Sequence, residues 1–93
     1  MSQHGRVLRE LVREFLAGRE LFWEFHEAFL DAWTRLDRSA LPALEREGWN
    51  EIYGWVLSSI PDPVSSEDGA RGLVGEVELR ARLRRHPQAS APR

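Results

Sequence analysis

The residues of this sequence best suited to metal chemistry are His26 and Glu27, which lie within the aromatic run FWEFHEAFLDAW. The pair is similar to the first half of the H-E-x-x-H motif of zinc proteases, which needs a second histidine one helical turn later. Position 30 is leucine, the other two histidines lie near the chain ends, and cysteine is absent. A histidine at the edge of an apolar helix face is more typical of a core-edge residue bonded to a backbone carbonyl. We therefore expect no metal site.

Serine and glycine residues complete no catalytic motif either. The serines lack both the strained turn of a nucleophile elbow and an adjacent base; they include Ser58, Ser59, Ser65 and Ser66. Three closely spaced glycines follow no predicted strand and precede no lysine, so they form no phosphate-binding loop; they are Gly69, Gly72 and Gly75. We expect a protein that is not an enzyme and uses no cofactor.

Acidic residues, by contrast, recur at helical spacing. Drawn at 100° per residue, four carboxylates fall within an arc of about 60°, and we call them the acidic ridge: Glu20, Glu24, Glu27 and Asp31. Like charges one turn apart destabilise a helix by a few tenths of a kcal/mol per pair. The ridge is either a solvated helix face or a surface that attracts and selects a positively charged partner. Three acids of a later loop could extend that surface: Asp62, Glu67 and Asp68.

Arginines crowd the last predicted helix, and they raise the question of nucleic-acid binding. Four cations at one helix end could contact phosphates; they are Arg80, Arg82, Arg84 and Arg85. However, the formal net charge is −2, and no aromatic stacking platform accompanies the run. Compensation of the helix dipole accounts for cations at a carboxyl end. We expect no nucleic acid among the partners.

Helical periodicity predicts the elements that carry these residues. The first helix reaches Leu16 and ends at Gly18 as its C′ residue. The second, from about Glu20 to Leu36, has an apolar face roughly 200° wide. That width is typical of a bundle member, and we expect the aromatic residues of this face in the core; they are Phe22, Phe25, Phe29 and Trp33.

Glycine and proline residues divide the remainder of the chain. A third helix follows Asp37 or Ser39, with Pro42 in its first turn, apolar positions that include Leu44, and a predicted break or kink at Gly48. Gly54 could permit close helix approach, and Pro61 ends the helix. After a loop, the last helix starts at Gly75, with Glu78 in a capping box and Val77 among the apolar residues. At 93 residues the chain is one domain. We predict an all-α, antiparallel bundle of about four helices over 1–86 and a disordered tail over 87–93.

Two stretches resemble a known family. The run VREFLAGRELFWEFHEAFLDAW is similar to the opening of the colicin D immunity-like family of bacterial self-protective proteins, and GLVGEVELRARLRR resembles its final segment. The resemblance implies an antiparallel four-helix bundle that binds the toxic domain of a bacteriocin or contact-dependent toxin. For colicin D that target is a tRNA-cleaving nuclease. Carried over to this chain, the resemblance makes the acidic ridge and the three loop acids the candidate binding residues.

We therefore expect a cytoplasmic immunity protein that inhibits a cognate toxin domain through an acidic helix face, with no membrane partner. The lack of a signal pattern and of a long apolar run supports that location. The alternative is a helical interaction or structural module without a toxin target. A homodimer through the wide aromatic face also stays open. A third reading, binding of a small apolar ligand, requires a void beside Trp23 and Trp33.

Overall fold

The computed structural model describes residues 3–90, and the side chains of residues 5–89. Within that range the fold is all-α, as predicted, with four helices of at least ten residues and two shorter ones. In chain order the elements are α1 (Gln3–Leu16), α2 (Phe22–Arg35), a 3-10 helix (Arg38–Ala40), α3 (Ala43–Leu57), β1 (Ser59–Ile60), α4 (Ser66–Ala70), β2 (Val74–Gly75), α5 (Glu76–Arg85) and α6 (Pro87–Ser90). No helix in this range is both long and apolar enough to cross a membrane.

The four long helices form an antiparallel bundle. Short links reverse the chain between α1 and α2 and again between α2 and α3, and these neighbours pack side by side. We call the end where α1 and α3 finish and α2 and α5 begin the upper end. The opposite end, where α2 and α5 finish, is the lower end. Three acids of the ridge, Glu24, Glu27 and Asp31, lie on α2, whereas Glu20 precedes the N-cap Leu21 and lies outside the helix that was predicted to begin with it.

The turn at the upper end is made by Gly18, as predicted. Its φ is +80°, a left-handed conformation that favours glycine. The Gly18 N–H donates to the Phe15 carbonyl and the Arg19 N–H donates to the Glu14 carbonyl, both at 3.0 Å. This pair of bonds is a Schellman motif, and it satisfies the last carbonyls of α1.

The aromatic face of α2 supplies the centre of the core. The Phe25 ring stacks on Phe15 of α1 with centroids 4.2 Å apart, and Phe29 lies 6.3 Å from Trp49 of α3. The core consists of fourteen buried apolar residues: Leu8, Val12, Phe15, Phe22, Phe25, Phe29, Trp33, Leu41, Trp49, Ile52, Val56, Val74, Leu79 and Leu83. All four aromatic residues predicted for the core are therefore buried.

Some predicted core positions are nevertheless exposed. Trp23, at the edge of the 200° face, is 53% exposed, so the buried face of α2 is narrower than predicted. Leu44 of α3 and Val77 of α5 are 82% and 72% exposed. Each lies in the first turn of its helix, where no neighbouring element covers it.

Two predictions were wrong because of the same helix, α6. They are the break at Gly48 and part of the disordered tail. Residues 87–90 form α6, which packs against α1 and α3, while residues 91–93 lie outside the described residues. A Cβ on Gly48 would lie 3.1 Å from the Gln88 side chain, so the glycine makes room for α6 and α3 continues through it. Gly54 has no such role, because nothing lies within 4 Å of its Cβ position.

The segment after α3 contains structure that the periodicity did not predict. Ser59–Ile60 pairs in parallel with Val74–Gly75, and the intervening loop includes α4. Gly75 is the N-cap of α5, as predicted, but the capping box with Glu78 does not form. The cap instead comes from Asp62, whose Oδ2 accepts a hydrogen bond of 2.8 Å from the Val77 N–H.

Candidate functional site

The acidic ridge divides into two parts with different surroundings. At the lower end, Asp31 lies 3.3 Å from Arg35, one turn further along α2. Near the upper end, the Glu24 carboxylate accepts a 2.8 Å hydrogen bond from the Leu21 N–H and so stabilises the first turn of α2. Glu24 remains exposed despite this bond. We call Glu20, Glu24 and Glu27 the upper acidic face.

The other two members of the upper acidic face form no hydrogen bond or ion pair with the described residues. Glu27 is exposed and makes no hydrogen bond or ion pair with any described residue. The Glu20 Oε1 is buried and accepts no hydrogen bond from the described residues. Burial raises the pKa of Glu20, and the nearby carboxylates of Glu24 and Glu14 raise it further. Neither Glu20 nor Glu27 therefore forms an ion pair with a described arginine.

On other surfaces of the described chain, several acids lie beside arginines. Side-chain pairs within 3.3 Å occur on α1, at the α1–α2 turn, on α4 and on α5; they are Glu10–Arg13, Glu14–Arg19, Glu67–Arg71, Glu76–Arg80 and Glu78–Arg82. Exposed pairs of this kind each contribute roughly 0–1 kcal/mol, but they cancel local charge. The upper acidic face lacks such cancellation, which distinguishes it from these surfaces.

The three loop acids have mostly local roles. Asp62 caps α5, and Glu67 pairs with Arg71 at 2.8 Å within α4. Asp68 is half-buried, and its backbone N–H donates to the Ser65 side chain that caps α4. No described hydrogen bond or ion pair connects these acids to α2, so the predicted site is not assembled as one continuous surface by such contacts.

His26 lies between the acidic face and the core. Desolvation lowers the pKa of the half-buried imidazole, while Glu27 and a backbone hydrogen bond to Val56 act in the opposite direction. The ring is therefore the core-edge histidine expected from the pattern. Within residues 3–90, no group of three or more His, Cys, Asp or Glu is placed to hold a metal ion.

Trp23 is the surface residue that periodicity assigned wrongly to the core. Its i+4 neighbour on the surface of α2 is Glu27. Its ring contacts Phe22 and His26 edge-on, with centroids 4.9 Å and 5.1 Å away. The signal that could have found it is its position at the margin of the apolar face, beside Glu27.

Two open grooves lie elsewhere on the surface. One, of about 350 Å³, lies between α1 and α2 and is lined by Val7, Leu8, Asp31, Ala32, Arg35 and Leu36. The other, of about 330 Å³, lies between α3 and α5 and is lined by Glu51, Trp55, Arg82, Arg85, His86 and Pro87. Neither groove is lined by Trp23 or Trp33, and Trp33 packs against Tyr53 at 5.2 Å. These two grooves therefore do not provide the void that the apolar-ligand reading requires.

Comparisons with protein-family models, with curated proteins and with solved structures find no match to this chain. The resemblance to the colicin D immunity-like family therefore stays a prediction.

Proposed function

We propose that this protein is a non-enzymatic inhibitor of the immunity type, which binds a cognate bacterial toxin domain through the upper acidic face of α2. The target that fits best is a basic, nucleic-acid-binding surface such as the active site of an RNA-cleaving nuclease. Carboxylates placed on such a surface occupy the positions of substrate phosphates and block access to it. The runner-up is a helical interaction module with a basic partner that is not a toxin.

The observation that carries this proposal is the uncompensated charge of the upper acidic face. An acid in the first turn of a helix is stabilised by the helix dipole, which gives Glu24 a structural purpose. The dipole effect decreases within one turn, however, and Glu27 is the sixth residue of α2. The exposed carboxylate of Glu27, which has no described ion pair, therefore adds little to the stability of the isolated protein. Its function is instead to contact a cationic partner.

Electrostatic attraction suits an inhibitor that must bind before its toxin acts. Complementary charge accelerates encounter and excludes partners of the wrong sign. Because exposed charges are screened over about 8 Å at physiological ionic strength, the association rate should fall as salt is added. The net charge of −2 is small, so the attraction must come from the local face and not from the whole molecule.

The test is co-expression with the protein encoded by the neighbouring gene, scored by cell survival, followed by titration of the purified toxin domain. Glu27→Arg should weaken binding roughly tenfold, equivalent to about 1.4 kcal/mol, and should abolish protection. Glu27 is preferable to Glu24 because Glu24 also caps its own helix. Unfolding should change by only a few tenths of a kcal/mol, since like-charge repulsion is relieved.

Glu47→Arg is the matched control. Glu47 is an exposed acid on the amino-terminal half of α3, at the lower end of the bundle. It undergoes the same change of charge far from the upper acidic face. If Glu27→Arg and Glu47→Arg lost affinity equally, the effect would come from the net charge of the protein and not from a local contact. If Glu27→Arg kept its affinity, the upper acidic face would be rejected as the contact surface.

A further inference from the structure

We propose that Trp23 is the apolar anchor of the interface, inserted into a pocket of the partner whose rim carries lysine or arginine. This inference rests on the proposed function and specifies the chemistry of the partner surface. Trp23 is 53% exposed although the other aromatic residues of α2 are buried. Tryptophan is among the residues whose truncation most often weakens protein interfaces.

The indole is held in place before any partner binds. Its edge-on contacts with the rings of Phe22 and His26 have interplanar angles of 81° and 73°. Phe22 is buried, and His26 is half-buried. A side chain with a preset orientation loses less conformational entropy on binding, so more of its contact energy appears as affinity.

A second exposed apolar side chain extends the surface across two helices. Leu57, the last residue of α3, is 55% exposed and directly follows Val56. His26 contacts the Trp23 ring, and Leu57 ends α3 where α2 begins, so Trp23, His26 and Leu57 lie at the same upper end of the bundle. We call these three residues the upper apolar patch.

Charge selects the occupant of this patch. Glu27 lies one turn after Trp23 on α2, so a surface that covers the indole also approaches this exposed carboxylate. In a two-fold symmetric dimer the same patch would meet itself, and the carboxylates of both copies would converge in a desolvated region. Like charges placed together disfavour an interface. A basic partner is therefore favoured over a second copy of this chain.

The closing experiment selects binders to the full chain from a random linear peptide library displayed on phage. Enriched peptides should be basic and should contain an aromatic or aliphatic residue. Trp23→Ala should weaken their binding at least tenfold, and Leu57→Ala should weaken it several-fold. Leu44→Ala is the matched control for Leu57, because both are exposed leucines of α3 and Leu44 lies at the lower end; it should leave binding unchanged. Circular dichroism melting checks that each variant folds.

Different failures of this experiment have different meanings. If binding of basic peptides were weakened by Glu27→Arg but not by Trp23→Ala, the role of Trp23 as the anchor would be overturned. The upper acidic face would remain the contact surface. Enriched peptides without net positive charge would overturn the basic partner itself. Sedimentation of the full chain supplies the last outcome: a dimer that Trp23→Ala dissociates would assign the patch to a second copy and overturn the inference.

Discussion

The upper part of α2 is rich in acids and the carboxyl half of α5 is rich in arginines. These two charged runs differ in whether their side chains have partners within the protein. In α5, two of the four arginines form close ion pairs. Arg80 contacts Glu76 at 2.7 Å, and Arg82 contacts Glu78 at 3.0 Å. On α2, the Glu27 carboxylate has no described hydrogen bond or ion pair, and just before the helix a Glu20 oxygen is buried without a described donor.

The difference shows that a charge run is informative only after its internal partners are known. The guanidinium of Arg80 lies 3.9 Å from the centroid of the Phe15 ring, and it also donates to the Phe15 carbonyl. Arg82 lies over Trp55 at 5.7 Å. The basic run thus ties α5 to α1 and α3, whereas the upper acidic face is left for contacts outside the chain.

Replacing Arg80 by alanine should have the largest effect in this comparison. The substitution removes a cation–π contact, a charged hydrogen bond to a backbone carbonyl and the ion pair with Glu76. We expect a loss of about 2 kcal/mol in unfolding free energy, measured by urea denaturation. Arg84 is exposed on the same helix, so Arg84→Ala should change stability by less than about 0.5 kcal/mol. Equal stability of the two variants would show that the contacts of Arg80 do not stabilise the fold, and the contrast with Glu27 would then be lost.

Replacing Asp62 by alanine tests whether a predicted binding acid serves the fold. Its carboxylate accepts from the Val77 N–H in the first turn of α5, and loss of a helix cap costs about 1 kcal/mol. Asp68→Ala removes an acid from the same loop without removing a described side-chain bond, and it should stay within about 0.5 kcal/mol. Chemical denaturation of both variants gives the difference. If Asp62→Ala left the free energy of unfolding unchanged, the capping role would be rejected. Asp62 would then be a candidate binding residue to the same extent as Asp68.

The sequence predicted the fold wherever one helix face determines packing. The 3.6-residue period places Phe22, Phe25, Phe29 and Trp33 on one side of α2, and all are buried. It could not decide the margins of that face, because burial there depends on whether a neighbouring helix is present. Trp23 and Leu44 were therefore assigned wrongly.

Contacts between distant segments explain the other differences. The role of Gly48 depends on Gln88, forty residues later by their numbering, and the Asp62 cap acts on a residue fifteen positions away. Strands of two residues are too short to show alternation. For the candidate site, spacing placed Glu20 on the same helix as the other acids, although α2 begins only at Phe22. Spacing also could not show that Asp31 and Glu24 have partners while Glu27 has no hydrogen bond or ion pair among the described residues.

Replacing Glu20 by glutamine should have the smallest effect and the opposite sign. The pKa of Glu20 is raised above its ordinary value of 4.5, first by burial and then by Glu24 and Glu14. Between pH 4.5 and the raised pKa, the native state retains a proton that the unfolded chain has lost, so this group makes stability fall as pH rises through that window.

Above the window, the ionised carboxylate destabilises the fold by a constant amount. Glu20→Gln should therefore be more stable than the parent at neutral pH by a few tenths of a kcal/mol, the scale of like-charge pairs on a helix. Urea denaturation across the pH range measures the difference, which should vanish below pH 4.5, where both side chains are neutral. Removing the Glu20 charge would thus stabilise the protein, whereas removing the Arg80 side chain would destabilise it. A Glu20→Gln variant less stable than its parent at neutral pH would mean that this carboxylate has an internal partner, and the contrast between the two charged runs would be lost.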